Sequence, residues 1–162
     1  MKRALSLFFL SVLAGAPLGA LRSAEDISAE QLGGFYPSSL ERLAISPPGY
    51  SHLAIPGFQK ASTTRVYEFG GVEITYYSDE DGVFGKKVAK LRPDRLTVER
   101  VEQQGFPVVV VTRKSDSKPV KIMADVGGEI AVVVDCANCE SRDELLGKLA
   151  AFDLQGLGKL LE

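Results

Sequence analysis

Cys136 and Cys139 are the only cysteines in the chain, and they stand three apart in VVVDCANCESRDEL, between a run that reads as strand and one that reads as helix. Two cysteines so spaced can act as a redox couple, grip a soft metal, or close a local disulfide. A thioredoxin-type couple places its first thiol at a helix N-terminus, which lowers the thiol pKa. Here Ser141 is the better cap, so both cysteines precede the helix, and only 23 residues follow Cys139. The flanking Asp135 and Glu140 would raise a thiol pKa. A structural zinc site takes four ligands, yet the single histidine, His52, lies far away in sequence. Glu140 follows Cys139, which excludes a CxxCH haem attachment. A disulfide pinning the strand-to-helix corner is favoured, at about 2 kcal/mol for so small a ring. Thiol–disulfide exchange and Cu(I) handling, with Met123 as a further soft ligand, remain the alternatives.

Other chemistry is sparse. With one histidine, any Ser-His-Asp or Cys-His arrangement would have to use His52, and no nucleophile elbow is present. No catalytic residue and no cofactor are expected. Asp79, Glu80, Asp81 and Gly82 suggest a calcium loop, but Tyr77 occupies the first ligand position of the D-x-D-x-D-G pattern, so they read as an acidic turn. The basic stretch containing Lys86, Lys87, Lys90, Arg92, Arg95 and Arg100 reads first as a solvated face; Lys86, Lys90 and Arg92 are its candidate contacts to an anionic partner. Tyr50, His52 and Phe58 fall in the Pro-rich ISPPGYSHLAIPGFQ, a candidate ligand or partner surface. The tyrosines Tyr36, Tyr50, Tyr67, Tyr76 and Tyr77 are candidates to line a groove there.

The elements that position these groups follow from pattern. Lys2 and Arg3, the apolar run Ala4 to Leu13 and the small residues to Ala20 form a signal peptide, residues 1–20, too short for a span. Cleavage near Ala20 predicts a periplasmic or secreted protein. It also leaves 17 Lys and Arg against 21 Asp and Glu, a net charge of −4 that gives no general attraction to nucleic acid. Hydrophobic content of 45% and charged content of 25% are ordinary for one globular domain. Residues 21–62 read as short helices, the first capped by Ser28 with Gln31, followed by an irregular Pro/Gly-rich loop over 45–59.

In residues 63–162 the period changes to two. TRVYEF and VEITYYS form a hairpin around Gly70-Gly71, and KKVAKL gives a helical turn ended by Pro93. LTVERV, PVVVVTR, VKIMADV and EIAVVVD are four more strands whose short connectors favour an antiparallel meander. Ser141 with Glu144 caps the last helix, which buries Leu145, Leu146, Leu149 and Phe152. Val108–Val111 and Ala131–Val134 are apolar at every position, so both faces of the sheet must be covered. The expected fold is α+β: about six antiparallel strands, with the C-terminal helix on one face and N-terminal helical segments on the other. A monomer is favoured, and a homodimer covering that second face is the alternative.

The run from VVVVTRKSDSKPVKIMADVGGEIAVVVD through DELLGKLAAFDLQGLGKLL resembles the C-terminal part of small exported bacterial proteins, and its pattern is similar to PsbP/Mog1-like sandwich domains. The resemblance implies an accessory or ligand-binding role and carries over no functional residue. With no catalytic constellation present, the sequence itself reads as a non-catalytic exported domain that binds an envelope protein or small ligand.

Overall fold

The computed structural model describes residues 27–78 and 82–162. The expected signal peptide, residues 1–20, and the acidic residues Asp79, Glu80 and Asp81 lie outside the described residues. Helix α1, Ala29–Gly33, starts with a complete capping box: the Ser28 hydroxyl accepts from the Gln31 amide, and the Gln31 side chain accepts from the Ser28 amide. A 3-10 turn, Ser38–Leu43, follows.

The chain is α+β, built on a seven-stranded antiparallel sheet. The strands are β1 Gly49–Ile55, β2 Phe58–Tyr67, β3 Gly70–Tyr77, β4 Leu96–Gln103, β5 Phe106–Arg113, β6 Pro119–Val126 and β7 Ile130–Asp135. Their order across the sheet is β1-β2-β3-β7-β6-β5-β4. Two meanders, β1–β3 and β4–β7, thus join where β3 pairs with β7. Helix α2, Val83–Ala89, carries the chain across one face from β3 to the far edge at β4. Helices α3, Arg142–Ala150, and α4, Leu154–Lys159, end the fold.

The seventh strand is β1, which replaces the irregular loop expected over 45–59. Pro56 and Gly57 are not scattered breakers but the two central residues of one tight turn, because Ile55 pairs directly with Phe58. Gly57 supplies the positive φ of 78° that the second turn position requires. The next hairpin also shifts. Tyr67 pairs with Gly70, so Glu68 and Phe69 make the turn in place of Gly70-Gly71. Gly70 serves close approach instead: a Cβ there would collide with the Asp135 carbonyl oxygen.

Strand alternation splits the core into two layers. On the front face Val108, Val110, Ile122, Ala124, Val132 and Val134 pack with Leu145 and Leu149 of α3 and Leu154 and Leu157 of α4. Ala29 and Leu32 of α1 belong to this same layer. Contrary to expectation, the N-terminal helical segment therefore does not cover the opposite face but shares the front with the C-terminal helices. The back layer, Val109, Val111, Met123, Ala131 and Val133, is covered by Val83 and Phe84 of α2. A single chain thereby covers both faces of the apolar strands.

Candidate functional site

The cysteine pair lies just past the end of β7. Cys136 and Cys139 are joined as a disulfide, and both are buried in the front layer. The Ser141 hydroxyl accepts from the Glu144 amide to start α3, so both cysteines do precede the helix. The Glu144 carboxylate accepts from the Glu140 amide rather than from the cap residue, leaving half a capping box. Among the described residues, Glu144 is the one carboxylate grouped with the two sulfurs, all within 4.8 Å of one another. Met123 is not available as a third soft ligand, because it belongs to the back layer, on the other side of the sheet.

Tyr50, His52 and Phe58 do not converge. Tyr50 and His52 pair with Thr63 and Ala61, so they share the front face of β1, and a Cβ added at Gly33 of α1 would stand 2.7 Å from the Tyr50 ring. Phe58 points to the back, where its ring meets Tyr77 edge-on at 5.7 Å. The tyrosines do not line a groove. Tyr67 and Tyr76 are buried; Tyr67 stacks on Phe69 at 5.1 Å, and Tyr36 packs beside Tyr67 at 6.4 Å. Arg65 caps this cluster, pairing bidentately with Glu41 at 2.7 Å through each nitrogen.

What β1 offers is an edge. All seven of its residues are exposed, and none is Asp, Glu, Lys or Arg. Leu53 and Ile55, not singled out from the sequence, are exposed on the back beside Phe58. The two-residue turn fixes the hydrogen-bond phase. Ile55 and Phe58 form the bonded pair that closes the hairpin, so Leu53 and Ser51 also bond inward to β2. The Gln59 carbonyl accepts from Ser78, on the β3 side, which fits that phase. Tyr50, His52 and Ala54 then aim three N–H and three C=O groups at solvent. The opposite edge differs: β4 carries Glu99, Arg100 and Glu102.

The basic contacts separate as well. The Lys86 ammonium lies 5.6 Å from the Tyr77 ring centre, Arg92 stands 3.8 Å from Asp94, and Lys90 lines a separate cavity of about 240 Å3. That cavity, between α2 and the back of the sheet, also holds Glu73, Lys87, Lys121 and Asp135. Lys87 pairs with Glu73 at 2.8 Å, and the Thr75 hydroxyl donates to the same carboxylate at 2.6 Å. Burial pushes the Glu73 pKa up, but these two donors outweigh it and hold it below the ordinary carboxylate value. The pair is internally matched and holds no free nucleophile or base.

Sequence reasoning missed a cleft of about 590 Å3, where Asp94, Arg95 and Leu96 at the start of β4 meet Arg113 and Lys114 at the end of β5. The signal that could have found it is the pairing of Leu96 with Arg113, which requires the strand register. Among the described residues no helix is long and apolar enough to cross a membrane. Compared with family models, curated proteins and solved structures, the chain matches none.

Proposed function

We propose that the protein is an exported, non-catalytic binding domain of the cell envelope, whose protein partner adds an extended segment to the free edge of β1. One observation carries this reading: β1 is an uncharged strand, exposed along its length, with its outward N–H and C=O groups unpaired. Edge strands of folded proteins are ordinarily blunted by charge, proline or a bulge, as β4 is by charge. An edge left unblunted suits strand addition, in which main-chain hydrogen bonds give affinity and alternate side chains give specificity. The partner segment should be uncharged, with apolar residues facing Leu53 and Ile55. Export is supported by the charged and apolar pattern of residues 1–20. The alternative, thiol exchange or Cu(I) handling through Cys136 and Cys139, has less support, since both cysteines are buried and bonded to each other.

The test is His52→Pro. Proline at an outward-facing position of an edge strand leaves the bonds to β2 in place but removes a central donor and obstructs an incoming strand. The variant should keep the wild-type circular dichroism spectrum. It should also lose the protein that wild type retains from periplasmic extract. Equal retention by both would sink the proposal.

A further inference from the structure

One stretch of the described chain carries an excess of positive charge, a feature independent of the β1 edge. Residues 86–121 hold ten Lys and Arg against four Asp and Glu. Much of that excess gathers at one end of the sheet, where β4 and β6 begin and β5 ends. The opposite end is mixed, with Asp125, Glu129 and Glu162 beside Lys60, Lys86 and Lys159.

The 590 Å3 cleft opens at the basic end. Its charge accounting leaves a surplus. Arg113 is matched by Asp116 at 2.8 Å. Arg92 and Arg95 share the single carboxylate of Asp94, at 3.8 and 3.6 Å, both longer than a good hydrogen bond. The Lys114 ammonium donates to the Pro93 carbonyl at 2.7 Å, a partner that neutralises no charge. Nearby Lys118 is taken up by Glu140 at 2.7 Å. Two positive charges therefore remain uncompensated around the cleft, one on Lys114 and one shared by Arg92 and Arg95. Leu96 and the aliphatic stems of the arginines supply an apolar floor.

We infer that this cleft binds a phosphate-type dianion, with Arg95 and Lys114 as its principal contacts. The charge surplus matches a dianion. Guanidinium and ammonium groups from two strand ends also suit a tetrahedral oxyanion, which accepts from several directions at once, better than a flat monoanion. A soluble phosphate monoester and a phosphate headgroup on a membrane present this same chemistry.

The experiment is titration calorimetry of the purified chain with glycerol phosphate at low salt, paired with sedimentation on vesicles containing phosphatidic acid. Saturable binding is expected, weakened at least tenfold in Arg95→Gln and in Lys114→Gln. Arg95→Lys, which keeps the charge but loses the planar fork, should fall between Arg95→Gln and wild type. Lys159→Gln, at the opposite end of the sheet, should bind as wild type does. All three side chains lie at the surface, and matching circular dichroism spectra should show that folding is unchanged. Binding of both ligands supports a site for soluble phosphate; binding of vesicles alone supports the headgroup as its source. No binding of either, acetate bound as tightly as phosphate, or binding indifferent to Arg95 and Lys114 would overturn the inference.

Discussion

Glu73 sits on the back of β3 beneath α2, its carboxylate shared between Lys87 and the Thr75 hydroxyl. Because its folded pKa is depressed, the interaction is fully present above the ordinary carboxylate range and is lost as pH falls through the folded value. Glu73→Gln should cost about 1 kcal/mol near neutral pH, a modest figure because the side chain is 35% exposed. The difference between wild type and variant in urea midpoint should shrink as pH is lowered from about 5 to about 3. Gln104 makes a different argument. Its φ of 54° is left-handed, which disfavours a side chain, yet its amide donates to the Phe152 carbonyl at 2.9 Å and its oxygen accepts from the Leu154 amide at 3.2 Å. It thereby ties the β4–β5 turn to the junction of α3 and α4. Gln104→Ala loses both bonds and keeps the strain, for a loss of about 2 kcal/mol, whereas Gln104→Gly should recover about 1 kcal/mol of that. Chemical denaturation of the pair separates the two effects.

At the scale of elements, the disulfide closes the corner from β7 into α3. Replacing both cysteines by alanine should lower stability by about 2 kcal/mol without changing the fold, read from urea denaturation beside the oxidised wild type. Six of the seven strands were legible in the sequence, because alternation in VEITYYS and uninterrupted valine runs report strand directly. β1 was not. Its Pro56-Gly57 reads equally as irregular loop or as tight turn, and only the pairing of Ile55 with Phe58 decides between them. That both faces must be covered was legible in Val108–Val111; which helix covers which face was not. The answer depends on the path by which residues 83–95 cross the sheet, and no local pattern reports that path. The cysteine pair was legible as a disulfide, whereas the basic cleft joins residues almost twenty apart that only register unites.

Across the whole molecule the two faces are sealed unequally. Three helices cover the front, and the seven-residue α2, which starts at Gly82 without a side-chain cap, covers the back. Stability should follow this division. Amides of Lys87 to Lys90 should exchange with solvent at least about a hundredfold faster than those of Val132 to Val134, because α2 can open without breaking the sheet. Equal rates in hydrogen-exchange mass spectrometry would mean that α2 belongs to the same cooperative unit as β7.

The position of β7 has a consequence for how the chain is made. The last strand in sequence is the middle strand of the sheet, paired with β3 on one side and β6 on the other. Until the ribosome has supplied Ile130–Asp135, the N-terminal and C-terminal meanders have no strand to join them, and β3 and β6 each expose an apolar inner edge. Nascent chains and products of premature termination that lack β7 are therefore natural clients for chaperones and proteases, and the finished sheet forms only once Ile130–Asp135 has left the ribosome.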